Sequence, residues 1–308
     1  MTRRPQRGMA VVVAILLIAL AATTAVLMIA RQDLWSRQVE NLAARAQADL
    51  VARAGIDAMK RALLENAQSV DLRPIRDVAA TAMATLSTKN VTLELSYTDA
   101  QSRFNLNNLV RGDRVAEPDI QAFQGMLTIA SLSPDLANAV VDAIDSDSEA
   151  RLPGGAEDLD YLAMVPPRRA ANRAFTDAAH LVRLKGFTPD AVSRLLPYLI
   201  ALPEATAINV NSAPAEALMA LAPGLDMSAA QRLIAAREQA PFADLDAFRA
   251  QLPAGVTMTS SIATGVISRY FVVVSSARIG HINVAYHALI GGQGAAQTGV
   301  IWRKQGSE

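Results

Sequence analysis

The apolar positions at the start of the chain fall into two regimes. From Met9 to Ala30 the sequence runs MAVVVAILLIALAATTAVLMIA, 22 residues without a charge, of which only Thr23 and Thr24 are polar. A helix of that length spans the hydrocarbon of a bilayer. Beyond Ala30 polar residues return, but nothing breaks the helix. No glycine or proline occurs between Met9 and Ala54, and the first proline after Pro5 is Pro74. Arg45, Asp49, Arg53, Asp57, Arg61 and Glu65 alternate in sign every four residues. Each such pair stabilises a helix by about 0.2–0.5 kcal/mol. Leu42, Ala46, Leu50 and Ala54 form a neighbouring apolar stripe. The pattern predicts one helix from about Met9 to Asn66, about 85 Å long.

A polar, Thr-rich connection follows Pro74, and then the period changes to two. Val91, Leu93, Leu95 and Tyr97 alternate with Thr92, Glu94, Ser96 and Thr98, as in a half-buried strand. A short segment, Phe104–Asn108, comes next. Strands return near the C-terminus. Tyr270–Ser276 and His281–Leu289 flank a turn at Arg278–Gly280, with Ile282, Val284, Tyr286 and Ala288 on one face. A glycine-rich loop (Gly291, Gly292, Gln293, Gly294) precedes a last strand near Thr298–Arg303. Between about Asp113 and Leu252 lie short helices separated by proline and glycine. Neither group of strands makes a sheet alone. The pattern is therefore read as a helical block inserted into one sheet domain.

The block contains a degenerate repeat. Leu181–Leu196 reads LVRLKGFTPDAVSRLL and Leu218–Ile234 reads LMALAPGLDMSAAQRLI. With one residue of slippage Gly186 matches Gly224, Arg194 matches Arg232 and Leu195 matches Leu233. Each copy is a helix, a glycine-containing turn with an N-cap (Thr188; Asp226 or Ser228) and a second helix. Ser133–Leu136 is a weaker third copy of the turn.

Composition changes this picture in a few places. Apolar residues make up 51% of the 308 and mean hydropathy is +0.20; the excess sits near the N-terminus. Formal net charge is zero, so whole-chain charge gives no reason to expect a polyanionic partner. The absence of cysteine excludes disulfides, thiolate metal sites and thiol nucleophiles. It does not exclude the periplasm, because a chain this long buries a core without staples. Three histidines, His180, His281 and His287, leave little for a histidine-rich metal site or a His-based triad. Ahead of the apolar run, residues 1–8 read MTRRPQRG, and Arg3, Arg4 and Arg7 favour a cytoplasmic N-terminus. Three readings fit: a secretory signal cleaved at Ala19-Leu20-Ala21, a plain signal anchor, and a type IV prepilin-like leader ending at Gly8. The unbroken apolar length and the junction glycine favour the third.

Two features bear on chemistry. Helix–hairpin–helix repeats suggest DNA backbone binding through hairpin amides and helix N-termini. Charge opposes this, since Asp113–Leu252 holds 11 Arg and Lys against 19 Asp and Glu, whereas a phosphate binder presents a basic face. The second feature is an acidic run: Asp142, Asp145, Asp147 and Glu149, then Arg151-Leu152-Pro153-Gly154-Gly155, then Glu157, Asp158 and Asp160. Asp145-x-Asp147-x-Glu149 has the opening spacing of a calcium loop. It is not an EF-hand, because the sixth position is Ala150 and the twelfth is Ala156. A solvated acidic loop with helix-capping aspartates fits the same residues. Oxygen ligands without Cys or His select Ca²⁺ over zinc. The sequence holds no P-loop, G-x-S-x-G or H-E-x-x-H motif, so no enzyme is indicated.

The leader with its apolar helix, Asp99–Leu109 (DAQSRFNLNNL), Asp142–Tyr161 (DAIDSDSEARLPGGAEDLDY), Ile208–Leu218 (INVNSAPAEAL) and the second hairpin repeat through Pro241-Phe242 together resemble the K type of type II secretion minor pseudopilins (GspK family). The resemblance implies an α+β fold: a pilin-like long N-terminal helix packed on an antiparallel sheet, with a large inserted all-helical domain of helix-hairpin-helix (SAM-like) repeats. It implies five stretches: a leader at 1–8, a transmembrane half-helix at 9–30, the rest of the helix and the first strands at 31–112, the inserted domain at 113–260 and C-terminal strands at 261–308. Cleavage after Gly8 by the prepilin peptidase and N-methylation of Met9 follow. Most pilins carry a glutamate as fifth mature residue; here it is Val13, and the K type is similar in lacking it. A tip subunit, with no neighbour beyond it, suits that absence. The implied role is a non-enzymatic subunit that primes the pseudopilus with I-, J- and then H-type subunits. It would be a single-pass inner-membrane protein with a periplasmic globular part and no nucleic acid partner. The alternative is a membrane-anchored periplasmic module that binds DNA. Family members bind calcium in the inserted domain; the candidates here are Asp145, Asp147, Glu149, Asp158 and Asp160, and which of them are ligands stays open.

Overall fold

A computed structural model describes residues 7–66, 69–112, 114–258, 264–292 and 298–306. Arg3 and Arg4 of the leader, the boundary residues Asp113, Ser260 and Ser261, and Gln293 and Gly294 of the glycine-rich loop lie outside them.

Helix α1 runs Arg7–Glu65 without a break. Helix α2, Arg73–Leu86, follows, with Pro74 in its first turn, where a missing N–H costs nothing. This replaces the Thr-rich connection expected after Pro74. Ile75, Val78, Ala79, Ala82, Met83 and Leu86 pack inward at helical spacing. The Thr81 and Thr85 hydroxyls donate to the carbonyls four residues back, so the threonines do not stop the helix.

Strand β1 is Val91–Asp99. Three two-residue strands come before the inserted helices, β2 (Phe104–Asn105), β3 (Val110–Arg111) and β4 (Arg114–Val115). Helices α3 (Glu117–Ile129), α4 (Leu136–Asp142), α5 (Asp158–Leu162) and α6 (Pro189–Leu195) follow. After β5 (Leu199–Ile200) and β6 (Ile208–Asn209) come α7 (Ala215–Leu221), α8 (Met227–Gln239) and α9 (Leu245–Arg249). The chain ends with β7 (Thr264–Gly265), β8 (Tyr270–Ile279), β9 (Ile282–Gly291) and β10 (Gly299–Gly306).

The main sheet has the order β1-β8-β9-β10 and is antiparallel throughout. The chain therefore leaves this sheet at Asp99 and re-enters it at Tyr270 on the adjacent strand, with every helix from α3 to α9 in between. Gly280, at φ +57°, makes the β8–β9 turn.

One face of the sheet buries against α1. Leu93, Leu95, Phe271, Val273, Val284, Tyr286 and Ala288 meet Ala48, Ala52, Ile56 and Met59. Ile282, Val284, Tyr286 and Ala288 thus share a face, as their alternation predicts. The stripe through Leu42 and Leu50 is not the buried one; these side chains are 69% and 68% exposed. On this face Ala48, Ala52 and Gly55 are small, and backbone and strand come close there. A Cβ on Gly55 would lie 2.6 Å from Ser275 Oγ and 2.8 Å from Leu95 Cδ2. Ser275 Oγ donates to the Ala52 carbonyl at 2.8 Å. Arg53 pairs with Asp49 at 2.8 Å, and the Tyr286 hydroxyl donates to the same carboxylate, fastening α1 to β9. From Val11 to Glu40 every side chain is exposed. Among the described residues this is the one helix long and apolar enough to cross a membrane.

The helical unit has its own core, which already takes in Phe104, Leu106, Leu109 and Val110. A buried carboxylate joins the two units. Asp99 accepts hydrogen bonds from the Gln101 N–H at 2.8 Å, Asn209 Nδ2 at 3.1 Å and Ser268 Oγ at 2.6 Å, and also from Ser212 Oγ. The outgoing crossing, the return crossing and the middle of the insertion therefore share one side chain. Burial pushes the Asp99 carboxyl up, and its hydrogen bonds oppose that.

The repeat is present in the backbone. Gly186 and Gly224 sit at φ +87° and +90°, a region glycine enters without steric penalty. Thr188 caps α6 through the Ala191 N–H at 3.1 Å, and Asp226 caps α8 through the Ala229 N–H at 2.7 Å. The lead helix of the first copy is a 3₁₀ segment, Ala178–Arg183.

Candidate functional site

Helix α4 is apolar on its inner face and sits deep in the helical core, with Ala137, Ala139, Val140 and Val141 fully buried. Its last residue, Asp142, is buried with them. The Asp142 carboxylate accepts the Arg151 N–H at 3.1 Å and the Ala156 N–H at 2.8 Å. The loop after α4 is thereby folded back onto the helix end, and its far side begins α5.

This closure brings acids from both sides of the loop together. One carboxylate oxygen each from Asp145, Asp147 and Glu157 lie within 4.8 Å of one another. Asp145 is 7% exposed and Glu157 5%; Asp147 is open to solvent. Asp145 Oδ1 and both Glu157 carboxylate oxygens have no hydrogen-bond partner. Burial, then the charges of Asp142, Asp145 and Asp147, push Glu157 up to about 7. Burial raises Asp142 to about 6 against its two amide bonds. Asp145 is raised by burial and by Asp147.

The other sequence candidates, Glu149, Asp158 and Asp160, are not in this cluster. Glu149 is exposed, and its backbone N–H donates to Asp147 Oδ1 at 2.8 Å. Asp158 accepts the Ala170 N–H at 2.9 Å and faces Arg169 at 3.9 Å. Asp160 pairs with Lys185 at 2.7 Å and accepts the Glu157 N–H at 3.2 Å; the Lys185 ammonium holds its carboxyl below the usual range. The structure thus joins Asp145 and Asp147 and adds Glu157. The signal for Glu157 was the acidic run itself. Spacing within the run could not show that the loop closes, because Asp142 closes it through backbone amides.

Buried carboxylates without donors are costly as ions. They are stabilised by protons or by a cation. The donor set is all oxygen and hard, which suits Ca²⁺. Asp145, Asp147 and Glu157 would hold such an ion, and its charge would tie the end of α4 to the start of α5. For the processing positions, the Gly8–Met9 bond lies in the first turn of α1, and Met9 and Val13 are exposed on that helix.

The DNA-binding reading finds no support in this geometry. The first turn of α6 carries Thr188 and Asp190, and the start of α8 is closed by Asp226. Those carboxylates stand where a phosphate would have to bind.

A long helix, apolar and exposed in its first half and packed on an antiparallel sheet in its second, defines a pilin-like subunit, here with a helical unit inserted between neighbouring strands. Sequence models of the family Type II secretion system (T2SS), protein K, match residues 102–204 and 208–267. The type II secretion system protein K of Pseudomonas aeruginosa is 30% identical, over 90% of this chain and 86% of that protein. The Klebsiella pneumoniae protein K is 32% identical over 68% of this chain and 69% of its own length. A chain in the crystal structure of the GspK-GspI-GspJ complex from enterotoxigenic Escherichia coli shares the fold, with a TM-score of 0.69 and 23% identity. That match covers 89% of this chain and 99% of the other. This chain belongs to the protein K family of type II secretion systems, the K-type minor pseudopilins.

Proposed function

We propose that this minor pseudopilin is a non-catalytic tip subunit that primes the pseudopilus together with I- and J-type subunits, joined later by the H type. The observation that carries the reading is the division of α1. From Val11 to Ala30 it is apolar and exposed, while its second half buries one face, Ala48, Ala52, Ile56, Met59, Ala62 and Leu63, against the sheet and α2. The first half is the inner-membrane anchor, with the globular part in the periplasm. The exposed Leu42 and Leu50 beyond it remain for neighbouring helices. The similarity to a chain of the GspK-GspI-GspJ complex supports the choice of partners. Val13 supports the tip position, because a buried carboxylate at that point would need a partner.

In this reading the prepilin peptidase cuts between Gly8 and Met9, and Met9 is methylated. Co-expression with the peptidase tests it by N-terminal sequencing. A mature chain starting at Met9 is expected, with Gly8→Val left uncut. Any other start, or normal processing of Gly8→Val, contradicts it.

The acidic cluster is read as a structural calcium site formed by Asp145, Asp147 and Glu157. Two unpaired oxygens on a buried Glu157 support this. Thermal unfolding with Ca²⁺ and with chelator tests it. A ligand at 100 times its Kd raises stability by about 2.7 kcal/mol. No shift at millimolar Ca²⁺ would remove the site.

A further inference from the structure

We propose that Asp142 is the positioning residue of the cation site, setting Glu157 opposite Asp145 and Asp147 without being a ligand itself. The inference rests on reading those three carboxylates as a cation site. The three come from two stretches of chain, Asp145 and Asp147 just after α4 and Glu157 just before α5. Something has to measure the gap between them, and Asp142 does so at both ends. It lies three residues before Asp145, in the turn that the Asp145 N–H continues by donating to the Val141 carbonyl at 2.9 Å. Its carboxylate also holds the Ala156 N–H at 2.8 Å, one residue before Glu157.

A second, independent feature protects the same contact. The Gly155 N–H donates to the Arg151 carbonyl at 2.8 Å and closes the loop turn. A Cβ at position 155 would collide with Asp142 Oδ2 and with the Arg151 carbonyl oxygen, and would lie 2.8 Å from the Arg151 nitrogen. Glycine is required here by the closeness of the carboxylate to the loop backbone. Asp142 is fully buried, and its oxygens are taken by amides, whereas the oxygens on Glu157 are not. Positioning and ligation are thus divided between different acids.

The test uses the full chain in detergent, with Ca²⁺ affinity measured by calorimetry and the site probed by Tb³⁺ luminescence. Both N–H groups reach Asp142 Oδ2, and the Arg151 N–H also reaches Oδ1 at 3.3 Å, so Asn at 142 replaces charge-assisted bonds by weaker neutral ones and sets an amide nitrogen against the Arg151 N–H. Asp142→Asn and Gly155→Ala should each weaken Ca²⁺ binding by about 10–100-fold, the usual effect of losing an outer-shell partner. They should also shorten the Tb³⁺ lifetime, as water replaces a displaced Glu157 oxygen. A purely structural role would lower chelator-treated stability without changing that lifetime. Wild-type affinity and lifetime in both variants would overturn the assignment, as would failure of Asp142→Asn to fold in saturating Ca²⁺. If the wild-type chain gives neither calcium heat nor terbium signal, the cation reading itself falls, and that outcome is distinct from the others.

Discussion

Replacing Glu157 by glutamine should stabilise the protein in chelator at pH 8 and remove its response to calcium. The Glu157 carboxyl is raised from an ordinary 4.5 to about 7. At 1.36 kcal/mol per unit, holding it ionised costs on the order of 3 kcal/mol. The native state binds more protons than the unfolded chain between these values. Stability without a cation therefore falls as pH rises from about 4.5 through 7, and the loss is complete above that. Glutamine removes the charge but buries an amide without a partner, which offsets about 1 kcal/mol. The net gain at pH 8 is about 2 kcal/mol, or about 4–8 °C in Tm for a domain of this size. At pH 5, where wild-type Glu157 is largely protonated, the gain should vanish. Thermal unfolding of the full chain at both pH values, with chelator and with Ca²⁺, reads all four numbers. A Glu157→Gln variant less stable than wild type at pH 8 in chelator would show that the carboxylate is not an uncompensated charge. A variant that keeps the full calcium shift would show that it is not a ligand.

Three further outcomes follow from the packing. Gly55→Ala should gain about 1 kcal/mol of helix propensity and lose about 1–3 kcal/mol to overpacking against Ser275 and Leu95; a raised Tm would contradict the close approach of α1 to β8. Asp99→Ala strands the donors of Gln101, Asn209, Ser212 and Ser268 and should cost about 3 kcal/mol, with early proteolysis at the crossings between sheet and insertion; a variant as resistant as wild type would show that the junction does not depend on it. Asp226→Ala should cost about 1 kcal/mol through the lost cap on α8, checked by chemical denaturation, and no change would mean that the cap is dispensable.

Much of the architecture was legible because it depends on periodicity. The unbroken run to Glu65, the alternation of Val91–Thr98 and the face shared by Val284, Tyr286 and Ala288 each match the structure. The two hairpins were legible through Gly186, Gly224 and their caps, which are local chemistry. Helix α2 was obscured by its threonines, although Ile75, Ala79, Ala82 and Leu86 carry helical spacing. Which face of α1 is buried was not legible, because apolarity alone points to Leu42 and Leu50, whereas the sheet meets Ala48, Ala52 and Gly55 at its closest approach. At the acidic site, spacing identified Asp145 and Asp147. It could not reach Glu157, whose position depends on the hydrogen bond that the Ala156 N–H donates to the Asp142 carboxylate, 14 residues back in the chain.

The proposed assembly with other minor pseudopilins runs through α1, whose apolar first half is exposed and whose second half packs on its own sheet. The most direct measurement is co-purification of the full chain from membranes that also contain the I- and J-type subunits of the same system. A stable ternary complex is expected, weakened by Leu42→Glu and Leu50→Glu while the isolated subunit keeps its Tm. Recovery of the chain alone under conditions where the I and J types associate with each other would contradict it.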